Sequence, residues 1–493
     1  MKPHHLVLLA SAILAIEVRA QPPANVVVPP GYTMTAIATG LNFPTAIAFV
    51  GDSVWVTEAG IMTPPAVKKI DKQGTVTTVL TDSMLPAGIL VAPVTGITYA
   101  NGWIWLVHRE TATSGGVPVG AISKFMPQDP AGTFQVVLTG LPSFGDHPGS
   151  SIAFGSDSRA YFETGTPTNA SVVGPDNSWA VSDPTFYDFP PVDIELSGIG
   201  YRTAHPFPLD PQATKITEPF MPFGGGTVAA GTVVPGVSPA HPGNGVVTTG
   251  SGAVYSFNPQ ASDAAATLRL EAWGFRDPFG MGFDPFNPSV LFVSNNGSDD
   301  RGSRPIGNDW DDLFVIHPGA GVQFFGWPDY FHDPVSHQPL PVSDAFFCPP
   351  HPPYGMCPQF AFSDSFRATL TVQPAFAELE DHASANMFDF SSTAEFGYVG
   401  DIFIAETGSV SGTGATSLIG FKVARIDHST GTVSDFIAHP SNDMATVFSP
   451  DGFNKPIDVK FRGPDMFIAD FGIFVPAKPT PGSGKIWMVS HGE

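Results

Sequence analysis

Three stretches of this chain carry side chains that could do chemistry together. In LPSFGDHPGS, His147 follows Asp146 between a glycine and a proline. A turn there would present an imidazole able to act as a general base near neutral pH, with a neighbouring carboxylate to hold the ring and raise its basicity. In WGFRDP, Arg276 precedes Asp277; such a guanidinium can stabilise negative charge developing on an oxygen, or it can simply pair with a carboxylate. In SNNGSDDRGSRPIGNDWDDLFVI, Asn296, Gly297 and Ser298 lead into Asp299, Asp300, Asp309, Asp311 and Asp312. Carboxylates and close backbone carbonyls suit a hard cation such as calcium, though the spacing and closing Glu of an EF-hand are missing. Each stretch also has a plainer reading: a loop histidine bonded locally, a surface ion pair, a solvated acidic loop.

These residues need elements to bring them together, and a repeat supplies them. Six copies of an alternating strand, a turn and an aromatic-rich strand occupy 45–60, 95–110, 150–165, 279–297, 384–408 and 457–472. Within the first, Ile47 and Phe49, then Val54 and Val56, show the period of two of strands packed on one face. Further strand candidates follow each copy, so every repeat offers about four strands, the content of a propeller blade. The expected fold is all-β: a six-bladed β-propeller of four-stranded antiparallel blades. YTMTAIATG near the N-terminus would pair beside the C-terminal GKIWMVS, closing the ring and hiding two sheet edges. A pair of β-sandwiches or an open solenoid is the alternative. Pro/Gly-rich excursions at about 166–250 and 319–378 read as loop insertions over one face of a single domain, 21–493.

Antiparallel pairing brings the residue before an inner strand and the residue after its partner to the same face. Those flanks are polar: Asp146-His147, Arg276-Asp277, His382 and Lys455 before copies, and His108-Arg109-Glu110, Asn296 to Asp300 and Glu406-Thr407 after them. Segments far apart in sequence would thus converge on one central mouth.

Composition narrows the function classes. With 52 Gly, 51 Pro and 40 Phe but only 14% charged residues, the chain suits short strands and turns rather than helices. Its formal charge of −23 disfavours nucleic-acid binding, which needs a basic face. Lys2, the uncharged run Leu6 to Ile16 and Val18-Arg19-Ala20 read as a signal peptide over 1–20. A secreted or periplasmic protein without a membrane anchor is therefore expected. In that oxidising setting Cys348 and Cys357 could close a disulfide; a zinc site with His351 is the sharper alternative.

Taken in order, LPSFGDHPGSSIAFGSD, WGFRDPFGMGFDP, SNNGSDD with WDDLFVI and FGWPDY, HASANMFDF with GDIFIAETGS, and KPIDVKF resemble the glucose/sorbosone dehydrogenase family. These are six-bladed propellers that use pyrroloquinoline quinone (PQQ) and calcium, and the resemblance runs through most of residues 32–490. It implies that His147 takes the sugar hydroxyl proton while hydride moves to the quinone, that Asp146 is its neighbouring carboxylate, and that Arg276 lies near the reacting oxygen. It further implies a cofactor site with Lys455, Arg276, Asp277 and Asn296, and calcium on the carbonyls of Gly297 and Ser298 with Asp311 and Asp312 nearby. The partners implied are a sugar or polyol substrate and an external electron acceptor. Ile457 stands where the family has a second Arg, and GSVSGTGATSLIG lacks a basic residue expected there. Two other functions fit the same scaffold: a non-catalytic exported propeller that binds carbohydrate or another ligand, and a calcium-dependent lactonase-like hydrolase.

Overall fold

Alternation buries both faces of most strands here, because each sheet is sandwiched between two others. In the strand Ser53–Glu58, Val54 and Val56 pack with Phe467 and Ala469 on one side, while Trp55 packs with Ile97 and Ile104 on the other. The same arrangement repeats around a ring of six sheets, and a separate apolar cluster fills each gap between neighbours. The computed structural model describes residues 23–111, 117–204, 214–409, 418–441, 443–475 and 478–492. The expected signal peptide lies outside them, as does 410–417 of the segment lacking a basic residue. Among the described residues no helix is long and apolar enough to cross a membrane.

The chain is a six-bladed β-propeller of antiparallel four-stranded sheets. Blade one comprises Pro44–Val50, Ser53–Glu58, Ala66–Ile70 and Val76–Thr81, and blade two Val91–Ala100, Trp103–Glu110, Val119–Phe125 and Gln135–Leu141. Blade three is built from Ile152–Phe154, Ala160–Thr164, Ala253–Phe257 and Arg269–Trp273. Blade four is Asp277–Phe283, Leu291–Asn296, Trp310–Ile316 and Ala377–Asp381; blade five is Ala385–Phe390, Ile402–Glu406, Lys422–Ile426 and Val433–Ile437. Blade six takes Pro456–Arg462, Asp465–Asp470 and Gly484–His491 from the C-terminus and its outer strand, Tyr32–Leu41, from the N-terminus. That last pairing, Tyr32 opposite His491 through Leu41 opposite Gly484, closes the ring as the sequence predicts. The inner strand pairs coincide with the six repeats.

Two excursions leave the blades and pack on each other. The first, between Thr164 and Ala253, contains the pairs Ile194–Glu195 with Val233–Val234 and Tyr201–Ala204 with Thr214–Thr217. The second, between Ile316 and Ala377, lays Gln323–Phe324 parallel to Arg269–Trp273 as a fifth strand of blade three, then forms the hairpin Tyr330–His332 with Pro339–Pro341. Ser197 N–H donates to Ala361 O at 2.8 Å, Ser363 N–H to Glu195 O at 2.8 Å, and Phe220 stacks on Phe362 with centroids 5.8 Å apart. Arg304 is the joint beneath both. Fully buried, it reaches Asp329 at 3.0 Å, Pro328 O at 2.9 Å and Gln359 O at 2.8 Å. Cys348 and Cys357 are disulfide-bonded, which decides between the two readings of that pair.

Arg304→Met leaves the Asp329 carboxylate buried without its cation, and should cost about 3–5 kcal/mol in urea unfolding; a change near zero would show the pair to be dispensable. Replacing both cysteines by serine, which frees a loop of nine-residue separation, should cost about 2.5–3 kcal/mol by the same assay.

Candidate functional site

Blades three to five and the segments leading into them border an open cavity of about 510 Å3 at the end of the ring where the polar flanks gather. Asp146, His147, Arg276, Asp277, Asn296, Gly297 and Asp311 all line it, with Asp176, Asp299, Arg301 and His382. Segments far apart in sequence thus reach one volume.

The His147 turn is held by backbone. Asp146 N–H donates to Pro167 O at 3.0 Å, and Thr166 N–H to Arg276 O at 2.9 Å, which ties the blade-three flank to blade four. Gly165 is required there, since a Cβ would come within 2.6 Å of His147 Cβ and O. His147 Nδ1 lies 2.7 Å from Thr166 O. A carbonyl only accepts, so Nδ1 carries the hydrogen and Nε2 keeps its lone pair. Burial, then the charges of Arg276 and Arg301, push His147 well below the ordinary histidine value. The ring is a neutral base with one defined tautomer.

Asp146 does not serve that ring as the sequence suggests. Its carboxylate is taken by stronger partners: Arg301 Nη1 at 2.8 Å, Trp179 Nε1 at 3.0 Å and Asn177 Nδ2 at 3.3 Å. The backbone carbonyl of Thr166 orients His147 instead. Arg301 Nη1 also reaches Asp176 at 2.8 Å, and its Nε reaches Asp299 at 2.9 Å. Asp299 in turn pairs with Arg276 Nη2 and lies 3.2 Å from His382 Nδ1. Burial alone would raise the Asp299 carboxyl, but Arg276, His382 and Arg301 outweigh it and hold it well below the usual range. For His382 the balance runs the other way round: burial lowers it, and the Asp299 hydrogen bond with the Asp381 charge raises it above its ordinary value.

Oxygen donors cluster on the blade-four wall. Gly297 sits so close to strand Trp310–Ile316 that a Cβ would meet Asp309 O at 2.3 Å. Its carbonyl accepts from Arg276 Nη1 at 2.6 Å, and its N–H donates to Asp311 Oδ1 at 2.9 Å; Asp311 Oδ2 accepts from Ala385 N–H at 2.7 Å. Asp277 Oδ2 accepts from Asn296 Nδ2 at 3.0 Å, yet Asp277 Oδ1 and Asn296 Oδ1 are buried without partners. Burial, against the opposing charge of Arg276, pushes Asp277 up to about 6, and burial raises Asp311 to about 7.

Three residues that the resemblance places at the cofactor or calcium site are not on the cavity wall. Ser298 is buried, its N–H bound to Asp309. Asp312, next along a strand from Asp311, points to the opposite face, toward His332 and Glu378. Lys455 lies under Phe421, its Nζ 4.4 Å from the ring centroid and 3.4 Å from Gly408 O, and burial lowers it to about 7. Sequence reasoning missed Arg301 and Asp176. Arg301 had a signal, a lone cation inside an acidic loop; Asp176 sits in an excursion with no periodicity to place it.

No family model matches the chain, and no curated protein matches it. Among solved structures it is similar to the iodide structure of a Trichoderma reesei protein of Carbohydrate-Active Enzymes Family AA12, at 16% identity and a TM-score of 0.55, covering 96% of this chain and 98% of that one. It is also similar to a PQQ-bound aldose sugar dehydrogenase from Streptomyces coelicolor, at 14% identity and 0.48 over 94% and 99% of the two chains. A Penicillium chrysogenum α-L-arabinanase complexed with arabinobiose follows at 9% and 0.39, covering 96% of each chain. At these identities the likeness to the first establishes the propeller fold.

Proposed function

We propose that this chain is a secreted or periplasmic quinone-dependent oxidoreductase of the sugar dehydrogenase type, oxidising a hydroxyl or hemiacetal of a sugar or related polyol and passing electrons to an external acceptor. The observation that carries the reading is the pairing of a neutral, tautomer-fixed His147 with Arg276 on one cavity wall. His147 Nε2 takes the hydroxyl proton, and the Thr166 carbonyl steadies the imidazolium that forms. The Arg276 Nε–H, buried and unpartnered, is available to an oxygen on which negative charge grows. His147 draws this role from burial and two nearby guanidiniums rather than from Asp146.

The donors suit a hard cation at the blade-four wall, where Asp277 Oδ1 and Asn296 Oδ1 would hold calcium. Gly297 O is less suited, since Arg276 already binds it. Arg276, Arg301 and His382 are the cations facing a cofactor's carboxylates. When bound, calcium would polarise a quinone carbonyl and the quinone would accept hydride. Five aspartates also line the cavity, Asp146, Asp176, Asp277, Asp299 and Asp311. That excess favours a second reading, a propeller that binds an uncharged carbohydrate without redox turnover.

Apoprotein supplied with PQQ and calcium should take up the quinone and reduce a dye in the presence of an aldose. His147→Ala should lower turnover about 10²–10⁴-fold while cofactor uptake persists. Absence of uptake at micromolar PQQ, with sugar binding retained in calorimetry, would replace this reading by the second; hydrolysis of a lactone with calcium alone would indicate a lactonase-like enzyme.

The pH profile follows from the sign of the His147 shift. A lowered value keeps the base unprotonated down to well below its ordinary 6.5, so kcat/KM should show no acid-side inflection near 6.5 that depends on His147, the wall groups that titrate in that range being Asp277 and Asp311. An inflection there that disappears in His147→Ala would contradict the assigned tautomer and environment.

A further inference from the structure

Behind the cavity wall, a second set of ligand-type side chains converges where the redox reading has no use for them. Asp312 and Glu378 are cross-strand partners on Trp310–Ile316 and Ala377–Asp381, and His332 closes one strand of the hairpin that packs beside them. One ligand atom from each lies within 4.8 Å of the others. All three residues are buried, at 3%, 6% and 2% exposure for Asp312, Glu378 and His332.

Hydrogen bonding leaves these atoms turned toward one another. His332 Nε2 lies 2.9 Å from Gln373 O, so Nε2 carries the hydrogen and Nδ1 the lone pair. That lone pair sits 3.5 Å from Asp312 Oδ1, itself without a hydrogen-bond partner. Both Glu378 oxygens likewise lack a donor, and the Glu378 carboxyl lies at hydrogen-bonding reach of Asp312, a contact that needs a cation or a proton between the two groups. Among the described residues no Lys or Arg forms an ion pair with either carboxylate. Two buried carboxylates and an imidazole lone pair repel unless a cation or a proton is shared among them, and a metal ion can engage all three at once.

We propose that Asp312, His332 and Glu378 bind a divalent transition metal ion of the zinc or manganese class. The imidazole nitrogen sets the class, since calcium and magnesium take oxygen ligands while zinc and manganese accept nitrogen with carboxylate. The Gln373 carbonyl on the far ring nitrogen orients the ligand, as outer partners of metal-bound histidines do. The ion would fasten the hairpin to blade four.

It also reaches the cavity indirectly. Asp312 Oδ2 accepts from Asn295 Nδ2 at 3.3 Å, and Asn295 Oδ1 accepts the backbone N–H groups of Arg276 and Asp277 at 3.0 and 3.1 Å. One amide therefore connects the ion's ligand to the backbone of two cavity residues. This inference does not depend on the redox reading.

The full-length protein, stripped with chelator and dialysed, should bind about one Co2+ per chain with visible absorption bands of a nitrogen-containing site, and Zn2+ should displace it. Zn2+ should raise the melting temperature of the stripped wild type by several degrees. His332→Gln and Glu378→Gln should each weaken Zn2+ binding by more than the roughly 10–100-fold that loss of an outer partner costs, and should abolish the Zn2+-dependent rise in melting temperature. If either variant fails to fold, the wild-type Co2+ spectrum decides alone. Lack of Co2+ bands and of a Zn2+-dependent melting shift in the wild type would overturn the proposal in favour of a proton shared by the two carboxyls, and calcium outcompeting Zn2+ for the Co2+ site would overturn the metal class.

Discussion

One carboxylate shared by two guanidiniums organises this molecule's working face. Asp299 accepts from Arg276 and Arg301, and Arg301 carries the link onward to Asp146 and Asp176. None of these charges is freely solvated, so each is stable only while the others are in place. The consequence is positional: the turn with His147, the excursion from blade three and the loop after the second strand of blade four become one unit. A backbone bond from Thr166 N–H to Arg276 O and a bond from Asp299 N–H to the Asn169 side-chain Oδ1 complete the union. Without it, the imidazole and the guanidinium would ride on separate loops.

The ring makes such a network affordable. Apolar clusters between successive blades hold each inner strand on both faces, and pairing of Tyr32–Leu41 with Gly484–His491 leaves no open seam. The mouth can then carry strained or unsatisfied groups on its loops and strand ends: His382 with a positive φ of 63°, Asp277 and Asn296 with orphaned oxygens, Arg276 with an unbound Nε. Asp277, Asn296 and Arg276 thus leave three buried polar atoms unpartnered on one cavity wall, the kind of local inconsistency expected at a functional site.

The fold was legible because period-two alternation is local: Ile47, Val54 and Val56 announce a packed face without knowledge of the partner. Ring closure was legible too, since two edge-capable strands at opposite ends of the chain have a strong reason to pair. The convergence of His147 and Arg276 followed from blade geometry. What could not be read was the choice of partner. Asp146 lies next to His147 in sequence, but adjacency along a turn does not direct a carboxylate at a neighbouring ring when a guanidinium from another blade competes for it. Lys455 was misjudged in the same way, because whether its ammonium enters the cavity depends on Phe421, a residue from blade five. Asp311 and Asp312 look interchangeable in sequence, yet strand alternation sends one to the cavity and the other behind it.

The most direct test of this account is a double-mutant cycle in urea unfolding between Asp146→Asn and Arg301→Gln, which isolates the contact fastening the His147 turn to blade four. The account predicts a coupling energy of about 1–3 kcal/mol. Additivity of the two substitutions within about 0.3 kcal/mol would mean that the turn is held by other means and would contradict the central claim.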